Sequence, residues 1–212
     1  MRLDANSIQK GFAIPPHTYP QIVLASGSQA RQRLLSDAGI RFTVDPADID
    51  ESAAAAPFQD DPDRMAAALA KAKATHVWRR NPRAAVLGAD QVLAVDSRIL
   101  SKPRSPAEAR EHLRLLSGRS HRLISAATVV QDGRTAWHGA DSAVLTMHDL
   151  DAAEIDRYVD AYWDKIRHCV GCYRIEAEGA RLFSGVDGDH FTIQGFPLIA
   201  FLNHLRKMQS LE

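Results

Sequence analysis

A small-residue run, Ser26-Gly27-Ser28, precedes a helical pattern whose first turns carry Arg31 and Arg33. Backbone N–H groups at a helix start attract an oxyanion, small residues let it approach closely, and arginine adds charge in a forked donor geometry. A capped helix with solvent-facing arginines fits the same residues, and the Walker and dinucleotide glycine patterns are both absent. Farther along, Val86-Leu87 gives way to Gly88-Ala89-Asp90, so a strand is expected to stop there and aim the Asp90 carboxylate at a cleft and a metal. The plainer reading of Asp90 is a turn residue. Lys73 lies on the preceding helix, Lys102-Pro103 follows, and Glu51 ends the stretch Asp48-Ile49-Asp50-Glu51. Two lysines, an arginine and two carboxylates would suit a triphosphate with a magnesium ion, although charged residues are common at element ends.

Other reactive residues carry less. Cys169 and Cys172 are spaced as half a zinc site, but no pair among the nine histidines completes it. A redox motif would open a helix, whereas these cysteines enter an apparent strand with Val170 and Tyr173, so structural thiols are expected. Asp187-Gly188-Asp189 lacks the spaced ligands of a calcium loop and reads as a turn.

The elements that must position these groups follow from periodicity and punctuation. Residues 22–25 form a strand, and the pattern Leu34, Leu35, Ala38 forms a helix closed by Gly39. Phe42 and Val44 mark a second strand. Residues 61–80 are helical up to Asn81-Pro82, and Val86 to Val95 is strand-like with an interruption at Gly88-Ala89-Asp90. Ser105-Pro106-Ala107-Glu108 opens a helix that Gly118 ends. Residues 121–130 and 134–147 pair around the hairpin signal Asp132-Gly133. Asp151 and Glu154 open another helix, and the last follows Gly195 and Pro197. Strands and helices in this order predict an α/β or mixed α+β fold with a central mixed, twisted sheet and flanking helices.

The chain has 212 residues, 45% apolar and 25% charged, with Lys plus Arg and Asp plus Glu both at 26. That balance argues against a protein that coats nucleic acid, although not against a local basic pocket. No apolar run approaches the ~20 residues of a membrane span. Residues 1–20, with Pro15, Pro16 and Pro20 and no continuous apolar stretch, read as a poorly ordered lead-in without a signal peptide, ahead of one domain over 21–212. Two cysteines cannot staple a secreted fold of this size, so a reducing, cytoplasmic location is expected.

Taken together, the blocks LASGSQARQRLL (24–35), PADIDE (46–51), LAKAKA (69–74), GADQVLAVD (88–96), SKP (101–103), LRLLSGRSH (113–121), VGCYRIEAEG (170–179) and GDHFTIQGFPL (188–198) resemble the Maf family of nucleoside triphosphate pyrophosphatases. The resemblance runs from about Ile22 to Leu205. It departs from the family pattern at Gln29-Ala30, where a proline and the first of two arginines are frequent, at Ser101 for a glycine, and at Thr192 for an asparagine. It implies a mixed sheet with two lobes around a cleft, related to other house-cleaning pyrophosphatases such as the ITPases. It also implies hydrolysis of a nucleoside triphosphate to the monophosphate and pyrophosphate. Asp90 is then the catalytic carboxylate, Ser26, Ser28, Arg31, Lys73 and Lys102 surround the triphosphate, and Glu51 with Asp90 holds Mg²⁺ or Mn²⁺. No nucleic acid or membrane partner is implied, and a homodimer is a candidate assembly.

The chemistry supports those roles. A free aspartate, with a pKa of about 3.9, is a feeble base toward bulk water, but a bound divalent cation lowers the water's pKa. Lysines and the arginine offset charge on the triphosphate and the departing pyrophosphate. In the resembling family the residue after the catalytic Asp and one in the later YRIE-like segment differ between substrate groups. Here they are Gln91 and Glu176, as in the 7-methyl-GTP group; the dTTP/UTP group tends to Thr and Gln. Ala30 departs from the large residue expected at the third specificity position. The rival readings are a dTTP/UTP pyrophosphatase and a nucleotide-binding regulator of cell division without turnover.

Overall fold

The structure, a computed structural model, describes residues 21–209. The expectation of a poorly ordered lead-in over residues 1–20 lies outside the described residues, as do residues 210–212. β1 (Ile22–Leu24) leads through the Ser26–Ser28 loop into α1 (Gln29–Asp37). Past α1, Gly39 adopts φ +74, as the end of a helix requires, and the N–H of Ile40 returns to the Leu35 carbonyl. β2 (Thr43–Val44) follows, then the short α2 (Glu51–Ala55), capped by Asp50. The long α3 (Pro62–Trp78) starts at the Asp61 cap with proline in its first turn. β3 (Ala85–Val95), β4 (Arg98–Leu100), α4 (Pro106–Leu116), β5 (Ser120–Gln131) and β6 (Arg134–Met147) come next. Asp132 and Gly133, at φ 50 and 74, give the β5–β6 connection the doubly left-handed turn that suits twisted hairpins. α5 (Ala152–Ile166) has the Asp151–Glu154 capping box, and β7 (Phe183–Asp187), α6 (His190–Ile193) and α7 (Leu198–Gln209) complete the chain.

The seven strands form one mixed sheet in the order β2-β1-β3-β5-β6-β7, with β4 also on β3. β2, β1 and β3 are parallel and every other pair is antiparallel. On one face α3 lays Met65, Ala66, Leu69 and Ala70 against Val92, Ile124 and Ala126, and Ala74 and Val77 against Val23, Val86 and Val130. The other face holds two separate apolar clusters. In one, Leu34 and Leu35 of α1 and Phe201 and Leu205 of α7 cover Leu87, Ala89 and Val129. In the other, α4 and α5 bury Leu113, Leu116, Ile155 and Val159 against Leu93, Val95 and Leu123. Each fully buried leucine contributes about 1.5–3 kcal/mol relative to exposure. Among the described residues no helix is long and apolar enough to cross a membrane.

Two expectations are corrected. β3 runs unbroken from Ala85 to Val95, so Asp90 stands mid-strand, not at a strand end. The reason is β5, which pairs with every β3 residue from Val86 to Ala94 and holds the segment extended through its glycine. Cys169 to Tyr173 is not a strand but contains a 3₁₀ turn, with Gly171 at φ 77 and Cys172 at φ 61. Four short elements had no signal strong enough to be expected: α2, β4, β7 and α6.

Candidate active site

Although Asp90 lies inside a strand, it faces an opening in the sheet. β5 occupies one edge of β3, so β1 and β4, which pair with residues that β5 also pairs, must share the other edge. β1 covers that edge at residues 85–87 and β4 at 93–95, and between them residues 88–92 have no partner strand. The carboxyl end of β1, where the Ser26–Ser28 loop departs, borders this gap. Ligands in open α/β sheets bind outside the carboxyl ends of strands, where neighbouring connections diverge.

Strand alternation turns Gly88 and Asp90 toward α3. A Cβ on Gly88 would stand 2.2 Å from the Ala70 carbonyl oxygen and 2.7 Å from the Ala74 nitrogen, so glycine permits α3 to lie directly on β3. That closeness lets Lys73, buried along with Asp90, place its ammonium against Asp90 Oδ1. The same ammonium is 2.8 Å from Glu51 Oε1. Glu51 is the exposed first residue of α2, an element with no buried residue. An open cavity of about 460 Å³, lined by Ala53, Ala54, Ala68 and Ala72, lies between α2 and α3.

Across the gap, Ser28 caps α1 by accepting from the Arg31 N–H, and the Ser28 N–H donates to Ser26 Oγ at 3.3 Å. Arg31 Nη1 donates to Ser26 Oγ at 3.1 Å and Nε to the Gly195 carbonyl at 2.8 Å. Burial pulls the Arg31 pKa down, and the charges of Asp90 and Glu51 oppose that shift. Ser26, Ser28, Arg31, Glu51, Lys73 and Asp90 are thus one constellation drawn from four elements. Its two cations and two carboxylates cancel.

The remaining expected residues sit differently. Gln91 faces the other side of the sheet, paired in register with Ser125, where the two apolar clusters meet. Its amide nitrogen donates to Ser125 Oγ at 3.2 Å and to the Thr192 and Ile193 carbonyls at 3.1 and 3.0 Å. Ala30 is half-buried in the first turn of α1. Lys102 is exposed after β4 and belongs to a separate charged group. Burial first, then Glu176, raises the Cys169 thiol pKa, while Arg174 and Lys102 act to lower it. Arg174 Nε donates to Glu176 Oε1 at 3.0 Å. Burial also pushes the Cys172 thiol up, and both cysteines are free. Asp189, expected in a turn, caps α6 through the Phe191 and Thr192 N–H groups. The residues that sequence reasoning missed are Gly88, Ser125, Thr192 and Gly195. Only Gly88 carried a usable signal, a glycine inside a strand, which marks close backbone approach.

Fold and site together define a mixed-sheet α/β protein whose paired charges gather where its parallel strands end. The family model for Maf-like protein matches residues 21–208, and the chain belongs to that family. It is 44% identical over 195 residues to the 7-methyl-GTP pyrophosphatase of Mesorhizobium japonicum, covering 91% of this chain and 98% of the relative. It is 47% identical over 191 residues to the nucleoside triphosphate pyrophosphatase of Rhodopseudomonas palustris (strain CGA009), covering 90% and 95%. A solved nucleoside-triphosphatase / dITP/XTP pyrophosphatase from Mycobacterium abscessus covers 91% of this chain and 97% of its own, at 16% identity and a TM-score of 0.41, a likeness too slight to bear on fold or function.

Proposed function

We propose that the chain hydrolyses the α–β phosphoanhydride of a nucleoside triphosphate, releasing the monophosphate and pyrophosphate, with 7-methyl-GTP as the preferred substrate. The observation that carries the reading is the buried Lys73 ammonium between Asp90 and Glu51, facing Arg31 and the α1 N-terminus across a gap in the sheet. A triphosphate entering that gap meets Arg31, Ser26, Ser28 and the first N–H groups of α1. Asp90 orients the attacking water and accepts its proton, while Lys73 and Arg31 stabilise charge on the reacting and departing phosphates. Lys102 meets the substrate from the far side of the gap.

The unliganded constellation is neutral, so its own cations do not offset a triphosphate. The donor set fits a divalent cation of the magnesium type: two carboxylates converge, and among the described residues no group of three or more His, Cys, Asp or Glu gathers as ligands. Such ions are held by one or two carboxylates and complete their shell with substrate phosphates and water. Glu51 and Asp90 would hold Mg²⁺ or Mn²⁺, which would supply charge neutralisation and a lower pKa for the attacking water. Lys73, which pairs with both carboxylates, would then be available to the phosphates.

Support for the base comes from Glu176, whose carboxylate offers acceptors for the N1–H and exocyclic amine of guanine and a charge that favours the 7-methylated, cationic ring. The relatives named as 7-methyl-GTP and as nucleoside triphosphate pyrophosphatases fit the activity, and the first group fits the base. The test is pyrophosphate release by the purified protein from 7-methyl-GTP, GTP, dTTP and UTP, with and without excess chelator. Asp90→Asn should lower kcat roughly 10²–10⁴-fold while nucleotide binding persists. Orthophosphate as the product, full turnover in chelator, or near wild-type turnover by Asp90→Asn would each overturn the corresponding part.

A further inference from the structure

We propose that Gln91 is a positioning residue for Arg31, acting through the Thr192–Gly195 turn. The proposal rests on the reading of Arg31 as a phosphate-binding residue.

The side chain of Gln91 leaves β3 on the face opposite Asp90, in register with Ser125. Its amide nitrogen is surrounded by Ser125 Oγ and the carbonyls of Thr192 and Ile193. Carbonyl oxygens only accept, so the nitrogen must face them and both of its N–H groups are committed to this chain. Ser125 Oγ in turn donates to the Thr192 carbonyl at 2.7 Å. Both donors of Gln91 are thus spent on the chain itself, and Oε1 remains as an acceptor.

What the amide does hold is the end of α6. From Ile193 the chain turns through Gln194 to Gly195, where the N–H of Gly195 returns to the Thr192 carbonyl at 3.0 Å. Gly195 adopts φ +100, and its carbonyl accepts the 2.8 Å bond from Arg31 Nε. Arg31 has one further anchor, Ser26 Oγ. The turn is therefore gripped from one side by Gln91 and grips Arg31 on the other. The two side chains also close on the same spot, since a Cβ on Gly195 would stand 3.6 Å from Gln91 Oε1 and 3.5 Å from Arg31 Nη2. Removing the Gln91 donors leaves the Ile193 carbonyl short of a partner and takes one of three donors from the Thr192 carbonyl, at the seam between two apolar clusters, and the turn moves to restore them. The guanidinium moves with it.

A base reader and a positioning residue make opposite demands on a ligand that has no base. The probe is inorganic tripolyphosphate with Mg²⁺, titrated calorimetrically into wild type, Gln91→Met, Arg31→Met and the double variant. Methionine keeps the length of glutamine without its donors. Gln91→Met should weaken tripolyphosphate binding about tenfold and raise KM for 7-methyl-GTP, dTTP and UTP alike. The double variant should bind hardly worse than Arg31→Met alone, because both act on one contact. Ser125→Ala, which removes a smaller share of the same anchor, should show the same pattern more weakly and serves if Gln91→Met fails to fold. Shifted nucleotide ratios with unchanged tripolyphosphate affinity would make Gln91 a base reader and overturn the proposal. A lower melting temperature with unchanged tripolyphosphate affinity, or additive losses in the double variant, would reduce Gln91 to a structural role and overturn it too. If wild type binds tripolyphosphate but releases pyrophosphate from no nucleotide, the pyrophosphatase reading fails, while the tripolyphosphate cycle still decides for or against Gln91.

Discussion

Replacing Gly88 with alanine tests whether the seating of α3 on β3 builds the site. The new Cβ would stand 2.2 Å from the Ala70 carbonyl oxygen, 2.7 Å from the Ala74 nitrogen and 2.9 Å from the Ala74 Cβ. An unstrained C···O approach is about 3.3 Å, so strand and helix must part by about 1 Å. Neither neighbour can swing aside, since both close contacts are backbone. Overpacking of this kind costs about 1–3 kcal/mol, which in a domain of this size lowers Tm by roughly 2–12 °C. The catalytic effect should be larger in proportion. Lys73 lies on the turn of α3 beside Ala70 and Ala74, and a displacement of about 1 Å in a positioned group lowers turnover by roughly 10². Pyrophosphate release and thermal denaturation are measured together, with Gly185→Ala as the control, because its Cβ would meet only Thr146 at 3.9 Å. A Gly88→Ala protein within twofold of wild-type kcat, with Tm unchanged, would refute the claim that close helix–strand packing sets the Lys73–Asp90 pair.

Glu176→Gln should narrow the preference for 7-methyl-GTP over dTTP and UTP by roughly ten- to hundredfold in kcat/KM, because a donor would face a donor. An unchanged ratio means that Glu176 does not read the base. A second expectation concerns acid stability. His121, buried with Nε2 2.7 Å from the Tyr173 hydroxyl and Nδ1 without a hydrogen-bond partner, has its pKa pushed down to about 4 by burial. The unfolded chain, with an ordinary imidazole near 6.5, binds the extra proton first, so the folded state loses stability as pH falls from about 6.5 toward 4. The loss approaches about 3 kcal/mol. Urea midpoints at pH 7 and pH 4.5 should fall farther apart for wild type than for His121→Leu; equal differences would show that His121 does not titrate on unfolding.

Sequence alone decided the element types wherever a long period or a cap was present. The Ser105 and Asp151 caps each start a helix as their spacing predicts, and Asp132-Gly133 turns the β5–β6 hairpin. The charged residues Arg31, Glu51, Lys73 and Asp90 were legible by type but not by place, because charged residues are common at element ends. Their grouping was legible only through the family resemblance. Tertiary structure decided what local pattern could not encode. Gly88-Ala89-Asp90 looked like a strand end, since glycine punctuates locally; β5 pairing keeps the strand going, and the opening at Asp90 exists because a different strand, β1, stops. Gln91 follows the catalytic candidate Asp90 in the chain, yet pleating sends the two side chains to opposite faces, where partners 34 and 101–102 residues away bind the amide. Lys102 and Glu176 gather around Cys169, a grouping that no sequence spacing signals. Patterns of period 2 or 3.6 report which face of an element is apolar; they say nothing of which distant backbone carbonyl will meet a polar side chain at a seam in the core.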